Sequence, residues 1–309
     1  MPTETPLHDA QPQSIAAKKR LGMIAGEGDL PVQAAKNAAD EAIEVIGFAL
    51  TKGNQQALAK HCARVYPISP GLLGQTLALI QQEGITELIF AGKVNKWILF
   101  RNPQLDKMAI SALQQLQAQK PLNDDEIMQT LCNMLFGAGI IVKPQTQYLQ
   151  HLLLGPQQLS QAQPTASDWR DIAYGFKLAK TLGQIDVGQT VVIKDGMALA
   201  LEAIEGTDAC IKRAGQWGRR SLWWFRRRHP GGSVVKVAKP QQDNRFDVPT
   251  VGLRTLKAAH AAGFKVLAVE AGATLFLEPE KMTDYANAHQ MVLIAVGPDD
   301  LAKHTHATI

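Results

Sequence analysis

Between Lys236 and Gly252 the chain reads KVAKPQQDNRFDVPTVG, its densest run of charge beside proline. Asp243 and Asp247 stand four apart with Arg245 between them, and Lys239 and Gln242 come just before. A magnesium ion on a diphosphate asks for one or two carboxylates, with phosphate oxygens and water completing its shell. Neighbouring cations bind the phosphates and stabilise charge that develops as a bond breaks. These types and spacings suit Asp243 and Asp247 as metal ligands or water-orienting carboxylates. Lys239 and Arg245 suit phosphate binding. A surface loop of salt bridges is the competing account, and the flanking prolines, Pro240 and Pro249, favour a shaped functional loop.

Five further places carry candidate chemistry. Gly26-Glu-Gly28-Asp-Leu-Pro31 joins a short apolar strand to a helix, with Asp29 a suitable N-cap and Pro31 in the first turn. Free backbone N–H groups at such a junction face an anion well. The third glycine of the dinucleotide fingerprint is absent, so a tight turn without ligand stands beside that reading. Lys93, in Gly92-Lys93-Val94, falls on the same expected sheet edge and suits a phosphate as a point charge. Asp124 and Asp125 open a helix, where carboxylates ordinarily complement the dipole, although they also suit magnesium or a sugar hydroxyl. Glu205, Thr207 and Asp208 follow a strand and start a helix, and Gly272 bends the chain at another strand end.

These residues need elements to position them. Short apolar strands at Leu21–Ala25, Glu44–Leu50, Val65–Ile68 and Glu87–Ala91 alternate with amphipathic helices, predicting a parallel sheet covered on both faces. The GPQQLSQAQPT stretch, 155–165, has the composition of a linker. A second α/β unit follows, in which Lys194-Asp195-Gly196 predicts an antiparallel hairpin. The expected organisation is a disordered tail over 1–19, a Rossmann-like domain over 20–154, the linker, and a mixed α/β domain over 166–309.

Composition excludes several classes. Hydrophobic residues at 46% and charged residues at 19% fit a globular chain, and a net charge of +4 is no nucleic-acid signature alone. No stretch approaches the about 18 apolar residues that span a bilayer, and the first residues do not resemble a secretory signal. Cys62, Cys132 and Cys210 share no ligand spacing, which predicts free thiols in a reducing compartment. The eight histidines likewise form no metal motif. Trp217 to His229 holds three Trp, one Phe and five Arg. That stretch reads as a membrane-surface element, an exposed insertion, or a single-strand nucleic-acid contact.

Taken together, IAGEGDLPV, ELIFAGKV, DIAYGFKLAKTLGQIDVGQTVVIKDGMALALEAIEGTDACIKRAG, VKVAKPQQDNRFDVPTVGLRTL and VLAVEAGATLFLE resemble the two-domain UDP-2,3-diacylglucosamine pyrophosphatases, which are unrelated to the calcineurin-like phosphoesterases of the same step. The resemblance runs from about Leu21 to Val296. It implies magnesium-dependent attack of water on the substrate, at the β-phosphorus, giving UMP and 2,3-diacylglucosamine 1-phosphate for lipid A synthesis; manganese is the other expected ion. It also implies a nucleotide-handling first domain, a lipid-linked substrate held between domains, and an essential aspartate within QDNRFDVP, either Asp243 or Asp247. A cytoplasmic protein peripheral to the inner membrane, without nucleic-acid partner and compatible with a homodimer, is the corresponding expectation. A non-catalytic nucleotide-sugar or lipid-binding protein is the alternative.

Overall fold

The structure, a computed structural model, describes residues 19–93, 104–117, 124–219 and 231–305. In the first domain β1 (Arg20–Ala25), β2 (Glu44–Ala49), β3 (Arg64–Pro67), β4 (Glu87–Ala91) and β5 (Ile141–Val142) form one five-stranded sheet in the order β3-β2-β1-β4-β5. Every pairing in it is parallel. The reason lies in the strand sequences, which are apolar on both faces. Leu21, Met23, Val45, Ile89 and Ala91 pack into one core with helix Leu30–Asp40, while Ile46, Phe48, Leu88 and Phe90 pack into the other. Strand order reverses between β1 and β4, which places the ligand-binding crevice of such a sheet beside Gly26 and Gly92.

The second domain is mixed. β6 (Gln157–Gln158), β7 (Thr190–Lys194), β8 (Met197–Leu201), β9 (Ser233–Lys236), β11 (Val266–Glu270) and β13 (Val292–Val296) form a six-stranded sheet ordered β6-β13-β11-β9-β7-β8. β9, β11 and β13 run parallel, and β7 turns antiparallel to β9. The β7–β8 turn places Asp195 at φ 52° and Gly196 at φ 77°, as a two-residue hairpin of this hand requires. Asp171, on helix Ala166–Gln184, accepts the N–H groups of Asp195 and Gly196 at 3.0 and 2.8 Å and latches that turn to the helix. A separate parallel pair, β10 (Thr250–Val251) and β12 (Leu275–Phe276), lies at the domain seam.

Two features differ from the sequence reading. The stretch expected as a linker, 155–165, is built into the second sheet: β6 pairs with β13, and the buried Ser160 hydroxyl accepts the Leu293 N–H at 2.8 Å. The crossing between domains is therefore short and tied down. Leu153 bridges Leu275, Leu154 O accepts the Gly272 N–H at 2.8 Å, and Val248 and Leu275 pack into the first domain's core. The helices Lys52–Leu58, Pro279–Ala288 and Pro298–Thr305 are also additional to those expected.

Candidate active site

The loop 239–249 is the wedge between the domains. On its first-domain side, Asn244 O accepts the Gln145 N–H at 2.8 Å, Arg245 Nη2 donates to Gln129 Oε1 at 2.6 Å, and Phe246 packs against the core around Ile46 and Phe48. On its second-domain side, Lys239 Nζ lies 2.6 Å from Asp186 Oδ1 and 3.5 Å from Asp247 Oδ2. Gln242 Oε1 accepts the Lys239 N–H at 2.8 Å and shapes the loop's start. Helix Ala166–Gln184 backs that start closely, since a Cβ on Gly183 would stand 3.2 Å from Lys239 Cα.

The two aspartates have different occupations. Asp243 accepts from Arg245 Nε at 3.0 Å on each oxygen, from Nη2 at 2.5 Å, and from the Arg245 backbone N–H at 2.9 Å. The guanidinium holds the Asp243 carboxyl below its ordinary range, and the carboxylate raises Arg245 in return. Asp243 and Arg245, both expected to meet substrate or metal, bond to each other here, and Arg245 also to Gln129, which fixes the turn. Asp247 faces the Lys239 ammonium and keeps about a third of its side chain exposed.

At the first domain's edge, the two glycine loops meet each other. The Glu27 N–H donates to Lys93 O at 2.7 Å, the Lys93 N–H to Glu27 O at 2.9 Å, and the Gly26 N–H to Ala91 O at 2.8 Å. A Cβ on Gly26 would come 2.3 Å from Lys93 O, and one on Gly92 2.7 Å from Glu27 O. Close approach of two backbones thus explains both glycines, and the Glu27 N–H is not free for phosphate. Asn54 braces the first loop by donating to Gly26 O and, at 3.4 Å, to Gly28 O. Gly28 itself takes φ +100° with open space around it. Asp29 caps helix Leu30–Asp40 by position, with no side-chain capping bond. Lys93 stands exposed at the crevice.

The remaining candidates divide. Thr207 Oγ1 donates to Glu202 Oε1 at 2.9 Å and accepts from Lys236 Nζ at 3.0 Å, so it belongs to a buried polar cluster at the carboxyl end of β9. Asp208 pairs with Arg254 and, at 3.4 Å, Thr255. Glu205 pairs with Arg213, which holds its carboxyl below the ordinary range, and serves the local turn. Gly272, at φ +69°, closes the seam to Leu154. Asp124 and Asp125 open helix Asp124–Gly137, and their side chains lie outside the described residues. Most of the Trp217–His229 stretch lies outside them as well.

Sequence reasoning missed Lys236, Glu202, Asp186 and Gln129. Only Lys236 carried a signal: a lysine ending the apolar strand Ser233–Lys236. Among the described residues no group of three or more His, Cys, Asp or Glu side chains is placed to hold a metal, and no helix is long and apolar enough to cross a membrane. A cavity of about 700 Å³ lies beside helix Ala166–Gln184, lined by Tyr174, Lys177 and Leu301 among others. It approaches the site through Lys180 and Glu270, which brace Ala238 next to Lys239.

Residues 20–152 match the LpxI N-terminal domain and residues 156–294 the LpxI C-terminal domain. The chain belongs to the LpxI family. The boundary between the matched LpxI domains falls where Leu153 and Leu154 cross the seam. The UDP-2,3-diacylglucosamine pyrophosphatase LpxI of Caulobacter vibrioides is 27% identical over 285 residues, covering 91% of this chain and 99% of its own. A solved structure titled as the Cj0485 dehydrogenase aligns over 26% of this chain and 34% of its own at 21% identity, with a TM-score of 0.22, and informs neither fold nor activity.

Proposed function

We propose that this LpxI-family chain hydrolyses the pyrophosphate bond of UDP-2,3-diacylglucosamine in lipid A synthesis. The observation that carries the reading is the loop 239–249, gripped by both domains, which sets Asp247 beside Lys239 at 3.5 Å. The family match and the Caulobacter relative's name supply the substrate class.

In this reading Asp247 orients the attacking water and takes its proton. The water oxygen bonds to the β-phosphorus, the bond from that phosphorus to the bridging oxygen breaks, and the electron pair leaves on UMP. The lipid product is 2,3-diacylglucosamine 1-phosphate. Lys239 offsets charge gathering on the phosphoryl oxygens, and Asp243 with Arg245 keeps the loop in shape. Lys93 and the crevice at Gly26 and Gly28 receive the nucleotide side.

Magnesium fits the site in a limited way. With Asp243 engaged by Arg245, the donor set offers no all-protein cage, but Asp247 with substrate oxygens and water meets what magnesium accepts. The bound ion, or manganese in its place, would supply charge neutralisation to the diphosphate. A lipid-linked substrate and a net charge of +4 support a peripheral enzyme at the cytoplasmic face of the inner membrane.

The test is UMP release from UDP-2,3-diacylglucosamine by the purified protein, with and without magnesium. Metal-dependent release supports the reading; saturable substrate binding without release would make this a binding protein instead. Hydrolysis in ¹⁸O-water should put the label in the lipid phosphate, and label in UMP would overturn attack at the β-phosphorus.

A further inference from the structure

Lys236 ends an apolar strand and is only 7% exposed, an unusual place for a lysine without a carboxylate partner. Its ammonium donates to Thr207 Oγ1 at 3.0 Å and to the Thr250 carbonyl at 3.1 Å, both neutral oxygens. No carboxylate lies within ion-pair distance of it among the described residues. Glu202 is reached only through the Thr207 hydroxyl, which donates to Glu202 Oε1 at 2.9 Å. Asp208 is engaged by Arg254, and Asp247 by Lys239. From the opposite domain the Lys93 charge acts on Lys236 as a second cation.

Burial pushes the Lys236 ammonium below its ordinary pKa; the Glu202 charge opposes it, the smaller Lys93 charge adds to it, and Asp208 and Asp247 pull weakly the other way. A desolvated cation held by neutral groups and facing a second cation is costly in the empty protein. The cost is recovered when an anion enters between the two lysines. An ammonium has three N–H donors, and two of them have protein acceptors here.

We propose that Lys236 is a substrate-contacting residue that binds a phosphoryl oxygen of the diphosphate at the floor of the cleft, with Thr207 and Glu202 positioning its ammonium and Lys93 closing on the same anion from the first domain. This rests on the reading of the site as a diphosphate site, and it adds a cation from the sheet itself to those of the 239–249 loop.

The experiment compares wild type with Lys236→Met, Glu202→Gln and the double variant Glu202→Gln/Lys236→Met, which removes both buried charges together. Thermal unfolding reports folding, UMP release reports turnover, and calorimetry reports binding of inorganic pyrophosphate. The double variant should fold as wild type does, lose about 10²–10³ in kcat/KM, and bind pyrophosphate at least about tenfold more weakly. Glu202→Gln alone should change kcat/KM by less than about tenfold. A folded double variant with wild-type kinetics and wild-type pyrophosphate binding would make Lys236 a structural tie and overturn the proposal. If wild type releases no UMP, the function reading fails, and the pyrophosphate comparison still decides the role of Lys236.

Discussion

Replacing Asp243 and Asp247 by alanine should give crossed outcomes. Asp243 receives three guanidinium hydrogen bonds and one backbone bond from Arg245. Charge-assisted bonds are worth roughly 1.5–3 kcal/mol each when shielded. The side chains are 27% and 32% exposed, so solvent screening and the shared geometry reduce the sum to about 2 kcal/mol. For a domain of this size that is a fall of roughly 4–8 °C in Tm. Asp247 makes one 3.5 Å contact to a lysine already bound to Asp186, so its loss costs under about 0.5 kcal/mol. Removal of a group that orients and deprotonates water should lower kcat by about 10²–10⁴. The assay pairs calorimetric unfolding with UMP release at saturating substrate. Asp247→Ala should keep its Tm and lose turnover, while Asp243→Ala should lose Tm and retain measurable turnover. Near-wild-type turnover in Asp247→Ala, with Asp243→Ala dead at unchanged Tm, would refute the division of labour.

Gly92→Ala should cost at least about 2 kcal/mol, because its Cβ would meet Glu27 O at 2.7 Å and its φ of +86° disfavours a side chain; an unchanged melting curve would contradict the loop-to-loop account. Asp171→Ala should destabilise the second domain by about 1–3 kcal/mol through loss of the two hairpin N–H acceptors, with kcat retained in the folded fraction. Hydrogen exchange at Asp195 and Gly196 would locate the change. Burial raises the Cys62 and Cys210 thiols to about 12, so at pH 8 their reactive thiolate is present at roughly 10⁻⁴. Iodoacetamide should therefore label them only as the protein unfolds, and fast labelling of either in the native state would disprove the assignment.

The sheets were legible because their strands are apolar on both faces. EVIGFA and ELIFA allow no other buried arrangement of that length, and the strand Val266–Glu270 behaves likewise. The helix Lys52–Leu58 was not legible, since KGNQQAL buries only Asn54 and Leu58 and carries a glycine in its first turn. Helix Pro279–Ala288 buries only Met282 and Ala286. β6 is two glutamines, placed by backbone bonds that leave no hydrophobic pattern. At the site, residue type and spacing brought Lys239, Asp243, Arg245 and Asp247 into one loop but could not say which carboxylate an arginine two residues away would occupy. The reach of Arg245 to Gln129, 116 positions away, has no local signal at all.

The seam bears on how substrate enters. The 155–165 stretch has the composition of a linker, yet it is paired into the second sheet and cannot act as a free hinge. Separating the domains at the seam would strip Val248 and Leu275 from the first domain's core. Each side chain is worth about 1.5–3 kcal/mol of burial, so a state with both exposed lies at least about 3 kcal/mol above the closed one. Its population is then about 1% or less. The loop 239–249 shares that seam through Arg245 and Phe246, so wide opening would also pull Asp247 from its place. A diphosphate that could enter only through such an opening would associate about a hundredfold more slowly, because the competent entry state is about 1% of the population, while its affinity for the closed state would be unchanged. The geometry therefore favours entry of the diphosphate into a site already assembled, where Lys239 and Asp247 are held by a loop that both domains grip.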